Sequence, residues 1–284
     1  MTTPLIDRVC GSNFSYQHHA LDRCLDDMAE LGRTSVELWG VAPHAHVPRM
    51  SDADARSIRV AAAARGLDVA CFTPEQVAYP VNIAAADHDL RRQSIDMFRR
   101  AAEVAVELGA PLLFLTSGRG REDEPREAAW RRSADALGEI TAYAASLGLA
   151  SVLEPLQRVE SNLVTRAADA ARMLDEVSAA NLGVALDTVA AAAAGDTIDD
   201  YFAHLGERVT HVHLIDGSPT GHLAWGDGDL PLSGIVASLD AHGYAGLATV
   251  ELFGDGHYAL DPRPPLERSL RAIAAASAPA PDAE

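Results

Sequence analysis

Eight short apolar runs recur along the chain, and a stretch with helical spacing follows each of them. The runs fall at 6–10, 35–39, 68–72, 111–116, 150–154, 182–187, 209–215 and 248–252. The helical patterns fall at 19–31, 52–65, 87–108, 125–147, 166–177, 199–205, 232–242 and 265–275. Strand–helix units in series lay their strands parallel, because each helix carries the chain back to the same edge of the sheet. Eight such units predict an α/β fold, a (β/α)8 TIM barrel. Glycine follows several of the helices (Gly32, Gly66, Gly109, Gly148), as expected of left-handed C-caps. A doubly wound open sheet would want fewer units and a glycine-rich first turn, and "CGSNFS" at 10–15 is not that fingerprint. A single barrel domain is therefore expected over 1–276. The tail "SAPAPDAE", 277–284, has the composition of a disordered end.

Composition narrows the chemistry. The formal net charge is −18, which argues against a nucleic-acid partner, since phosphate binding needs a basic surface. All 23 basic residues are arginine, so lysine Schiff bases, pyridoxal-phosphate chemistry and a P-loop are excluded. Cys10, Cys24 and Cys71 are too few and too scattered for a disulfide framework or a cysteine zinc site. No run approaches the roughly 18 apolar residues of a membrane span, and no signal peptide is read at the start. The expectation is a cytoplasmic protein with no membrane partner.

Barrel active sites are built at the carboxyl ends of the strands. The second strand offers Glu37 and Trp39, followed by His44 and His46. The third ends towards Glu75, the fifth on Glu154 and the sixth on Asp187. The seventh offers His211, His213 and Asp216, and the eighth offers Glu251. A salt bridge or helix cap would explain any one of these carboxylates. Three at corresponding places, with a histidine between them, would repel one another without a cation. Oxygen-rich ligands plus one imidazole suit manganese, magnesium, cobalt or iron. The expected cofactor is one divalent metal ion, manganese first. Of the two histidines, His213 lies nearer the strand end and is the expected ligand.

At these residues the sequence resembles the xylose-isomerase-like barrels, a superfamily of sugar isomerases and epimerases. The segments "VELWGVAPHAH", "FTPEQVAYPVN", "LEPLQRVESNLV" and "HVHLIDGSPTGHLAWGDGDLPL" look, in order, like those of the fructoselysine 3-epimerase branch. The resemblance implies that Glu154, Asp187, His213 and Glu251 bind the metal. It also implies that Glu154 and Glu251 act as acid and base on opposite faces of a sugar, through an enediolate. Glu160 resembles the position that touches the substrate end. His222 resembles a loop position of that branch and substitutes for a histidine that many ketose epimerases carry three residues after the aspartate, where Ala190 stands here. Glu37, Trp39, His44 and Glu75 are candidates for the pocket wall.

The substrate implied is a small sugar or sugar conjugate, in a ketose or ketosamine 3-epimerase. The alpha subunits of C-glycoside deglycosidases are similar barrels. That alternative implies a lyase, eliminating from 3-oxo-C-glycosides and needing a small partner subunit. Otherwise a homo-oligomer is expected.

Overall fold

A computed structural model describes residues 3–77, 80–218 and 220–278. The strands are β1 (Val9–Ser12), β2 (Ser35–Gly40), β3 (Asp68–Pro74), β4 (Leu112–Thr116), β5 (Ala150–Glu154), β6 (Leu182–Asp187), β7 (Val209–His213) and β8 (Leu247–Val250). They pair in parallel, each with the next, and β1 closes on β8 through Val9–Ala248, Cys10–Thr249 and Gly11–Val250. The result is the expected closed (β/α)8 barrel in one domain. Parallel strands covered by helices have both faces buried, and β6 is buried at every position.

The helices are α1 (Leu21–Glu30), α2 (Asp52–Ala63), α3 (His88–Leu108), α4 (Arg126–Ser146), α5 (Ala167–Val177), α6 (Thr188–Ala194), α7 (Ile198–Leu205), α8 (Leu232–Ala241) and α9 (Arg263–Ala276). Their ends are specified locally. Ser51 and Asp54 form a reciprocal capping box on α2, and the Asp87 side chain accepts from Leu90 N–H at the start of α3. Gly109 ends α3 at φ 75°, a left-handed position that a side chain would strain. Gly32, Gly66 and Gly148 also have positive φ, as the sequence implied.

The structure departs from expectation in three places. The first apolar run is a 3-10 turn, Leu5–Arg8, and β1 begins only at Val9. Arg8 explains this, since its guanidinium reaches the Tyr244 carbonyl (3.0 Å) and that of Gly246, under the barrel floor. A short alanine-rich helix, α6, follows β6 directly and was not anticipated. The loop after β4, whose charged stretch "GRGREDEP" at 118–125 reads as flexible in the sequence, is tied down: Arg119 N–H donates to Asn82 Oδ1 (3.0 Å) and Gly120 N–H to Asn162 Oδ1 (2.8 Å). Of the tail expected at 277–284, residues 279–284 lie outside the described residues.

Candidate metal centre

Strand register brings the acidic strand ends together. Asp187 pairs directly with His213 across β6–β7, and Thr116 with Glu154 across β4–β5. A bulge between Val184 and Ala185 precedes Asp187, the kind of irregularity that re-aims side chains near sites. Glu251 follows β8, two residues beyond the position paired with His213.

The four side chains converge. His213 Nδ1 lies 3.1 Å from Glu154 Oε1, 3.4 Å from Glu251 Oε2 and 3.9 Å from Asp187 Oδ2. Asp187 uses its other oxygen to cap α6, accepting from Ala190 N–H at 2.6 Å. Its Oδ2 is left buried without a hydrogen-bond partner, as are Nδ1 of His213 and Nδ1 of His222. Buried polar atoms are almost always paired. Three orphaned atoms among converging carboxylates fit a divalent cation held by Glu154, Asp187, His213 and Glu251. Glu154, Asp187 and His213 can offer ligand atoms within 4.8 Å of one another, as can Asp187, His222 and Glu251.

The electrostatics of the protein without metal match this reading. Burial pushes the Glu154 carboxyl up to about 8, against the pull of His213, while Asp187 and Glu251 push it further up. Burial also raises Glu251, but the charges of His213 and His222 outweigh it and hold the carboxyl below its ordinary value. Burial lowers His213, but Glu251, Glu37 and Glu154 overcome that and raise it well above an ordinary histidine. His222 is raised to about 9, burial being overcome by Glu251 and Asp187.

His213 is fixed on two further sides. Phe114 stacks flat on its ring, with centroids 4.8 Å apart and planes within 2°. Its Nε2–H donates to Glu37 Oε1 at 3.1 Å. Glu37 was expected on the pocket wall, but it is only 1 % exposed and sits inside the barrel below the metal centre. Its carboxylate also accepts from His211 Nε2 (2.8 Å), Thr73 Oγ1 (2.5 Å) and Thr249 Oγ1 (2.6 Å). With Cys71, Glu37 and His211 form another group of possible metal ligands. Burial drives that thiol well above its ordinary value, and the Glu37 carboxylate is already occupied by His211, His213, Thr73 and Thr249, so the group reads as structural, although Nδ1 of His211 stays buried without a partner.

His44 also lies away from the cavity. Its Nε2–H donates to the His19 carbonyl (2.8 Å), and its Nδ1 accepts from Asn13 (3.0 Å). Asp216 does not join the centre either. Its carboxylate accepts four backbone N–H groups, from Gly217, Gly226, Gly228 and Leu230, at 2.8–3.0 Å. It thereby holds the loop that carries His222.

The centre opens into a cavity of about 320 Å³. Trp39, Glu75, Glu160 and His222 all line it, as does Ala190. Trp39 Nε1–H donates to Glu75 Oε2 at 2.9 Å. Sequence reasoning missed Phe14 and Phe253 on the same wall. Phe14 meets Trp39 edge-on with centroids 4.2 Å apart and stacks on Phe253 at 5.2 Å. Placing the end of β1 at Ser12 would have pointed to Phe14.

A closed parallel barrel with an acidic, histidine-containing centre at its carboxyl rim defines a class of metal-site barrels. A family model described as "Xylose isomerase-like TIM barrel" matches residues 25–276, and the chain belongs to that family. Fructoselysine 3-epimerase of Shigella flexneri is 31% identical over 245 residues, covering 86% of this chain and 87% of that protein. Among solved structures, D-psicose 3-epimerase in the presence of D-fructose superposes with a TM-score of 0.78 at 20% identity, covering 94% of this chain and 97% of that one. L-ribulose 3-epimerase gives 0.80 at 21% identity, covering 95% and 94%. The chain is an enzyme of the sugar isomerase and epimerase type. Among the described residues, no helix is long and apolar enough to cross a membrane.

Proposed function

We propose that this enzyme is a divalent-metal-dependent ketose or ketosamine 3-epimerase. The observation that carries the reading is the approach of three carboxylates to His213 Nδ1 within 3.9 Å. The likeness to fructoselysine 3-epimerase supports the choice of reaction.

When bound, the cation would act as a Lewis acid, stabilising negative charge on the sugar oxygens beside the reacting carbon. Manganese suits the donor set of carboxylates and one imidazole. Glu154 and Glu251 reach the cavity from β5 and from the end of β8. One removes the C3 proton, giving the enediolate of the sugar, and the other returns a proton to the opposite face, which inverts the carbon. The aromatic wall of Phe14, Trp39 and Phe253 excludes water and presents flat apolar surface to a sugar face. His222 lies 3.1 Å from Glu251 Oε2, placed to orient that carboxylate and to meet a substrate oxygen.

Proton NMR of the metal-loaded enzyme with fructoselysine in deuterated water tests this. The expected result is loss of the C3 proton signal and growth of the C3 epimer. A C3 signal that persists while metal is bound would retire the reading.

A further inference from the structure

The aromatic wall of the metal cavity is braced by polar side chains that lie away from the cavity. β1 pairs with β2 at Gly11–Val36 and Ser12–Glu37, and the chain then leaves the sheet in a 3-10 turn, Phe14–Tyr16. β2 runs on to Gly40, so Trp39 stands beyond the last residue paired on that edge. The Asn13 side chain takes the place of the missing strand. Its Oδ1 accepts from Trp39 N–H at 2.6 Å, and its Nδ2–H donates to the Trp39 carbonyl at 3.3 Å. One side-chain amide thus satisfies both backbone groups of Trp39, as a neighbouring peptide would.

The other Nδ2 proton goes to His44 Nδ1, at 3.0 Å. The direction of each link is forced, because a carbonyl only accepts. His44 Nε2 meets the His19 carbonyl at 2.8 Å and must carry the proton, which leaves Nδ1 bare. His19 Nε2–H in turn donates to the Ala259 carbonyl at 3.0 Å, in the segment that follows Phe253. A chain of hydrogen bonds therefore runs from the end of β2 through Asn13, His44 and His19 to the loop after β8. Resting on the reading of the cavity as the sugar site, we propose that Asn13 and His44 are positioning residues, which set the rings of Phe14, Trp39 and Phe253 for the substrate without touching it.

The three rings come from three separate loops, after β1, at the end of β2 and after β8. Loops are the mobile part of a fold, so rings carried on them stay in register only if the loops are tied together. Ordering them before the substrate arrives removes that cost from binding. Asn13 is 0 % exposed and its amide is spent on both sides. Burial also holds the His44 imidazole below its ordinary value, which keeps it in the neutral form whose Nδ1 can accept. A carboxylate in place of the Asn13 amide would still receive Trp39 N–H, but would set an acceptor against the Trp39 carbonyl and against His44 Nδ1.

Fluorine NMR of the metal-loaded enzyme labelled with 5-fluorotryptophan reads the wall directly. The three tryptophans are Trp39, Trp130 and Trp225, and the signal lost in Trp39→Phe belongs to Trp39. Asn13→Asp and His44→Phe should each move the Trp39 signal and leave the other two in place. His44→Gln, which can still accept from Asn13 and donate to His19, should keep the wild-type signal. KM for fructoselysine should rise about tenfold in the first two variants, the scale of one lost hydrogen bond. Turnover and manganese affinity should hardly change, the pattern of lost uniform binding. An unmoved Trp39 signal in His44→Phe would overturn the proposal. So would a shift of all three signals or a loss of manganese affinity, since these mark a general structural role. His44→Gln behaving like His44→Phe would overturn hydrogen bonding as the cause. In the wild-type enzyme, nitrogen NMR of the His44 ring should show Nε2 protonated and Nδ1 bare, and the other tautomer would break the chain of bonds without any variant having to fold. The fluorine signal needs no turnover, so it stands apart from the epimerase reading. A moved Trp39 signal with no C3 exchange in the wild type keeps the brace and removes the epimerase. C3 exchange with KM unmoved in the variants keeps the epimerase and removes the positioning role.

Discussion

Nε2 of His213 lies 3.1 Å from Oε1 of Glu37, so the ring is held from below and its Nδ1 faces the three carboxylates. A carboxylate behind a metal-binding imidazole fixes its tautomer and orientation. Each Glu37 oxygen accepts two donors, one from a histidine and one from a threonine. An amide cannot reproduce that, because its NH2 would face donors. Glu37→Gln should weaken manganese affinity by about 10- to 100-fold while the barrel still folds. Titration of free manganese by electron paramagnetic resonance, beside circular dichroism, checks this. Unchanged affinity would show that Glu37 serves only packing.

Glu154→Gln and Glu251→Gln keep the size of the side chain and remove the base. Turnover should fall by about 10³ or more in each, since general acid–base groups contribute about 10²- to 10⁴-fold and both residues are also placed to bind the metal. The melting transition of the metal-free variants should survive, because among the described residues Glu154 meets the imidazole of His213, Glu251 those of His213 and His222, and neither carboxylate accepts a backbone hydrogen bond. Full activity in either variant would remove it from the proposed acid–base pair.

Asp216→Ala tests the loop rather than the chemistry. The substitution strands four backbone N–H groups around a side chain that is 1 % exposed. Leaving a buried donor unmet costs about 1–3 kcal/mol, so local opening of residues 216–230 should cost less than global unfolding. Amide exchange in that segment should accelerate strongly while β3–β6 stay protected. KM should rise because His222 rides on the same loop and already sits at φ 45°, a conformation that needs support from its surroundings.

The barrel was legible because its signal is repetitive: the strands are short apolar runs, and several of the helices between them end at a glycine in the left-handed conformation. The four proposed ligands were legible for the same reason, as charges placed where an apolar run stops. Glu37 was misread because β2 continues to Gly40. Two residues before Trp39 means the same side of the strand but deeper, so the side chain that shares its face with the cavity wall lies in the barrel interior. His44 and Asp216 follow strand ends as ligands do, and only tertiary contacts reveal that backbone groups and Asn13 occupy them. Phe14 and Phe253 stayed hidden because an aromatic residue just past a strand carries no periodic mark.

Metal uptake should be coupled to proton release. Metal and proton compete for the same atoms, and a ligand must lose its proton to bind. In the metal-free enzyme, burial holds Glu154 at about 8, and the surrounding carboxylates keep His213 protonated well above the ordinary range. At pH 7 both carry protons that the cation must displace. Affinity should therefore rise with pH, by about tenfold per unit for each proton displaced, and should level off above about 8 as far as Glu154 is concerned. Titration calorimetry in two buffers of different ionisation enthalpy would measure the protons directly. Release of at least one is expected at pH 7. None released would mean that Glu154 and His213 are already deprotonated without metal, and that the ligand set is prepared by some other balance of charge.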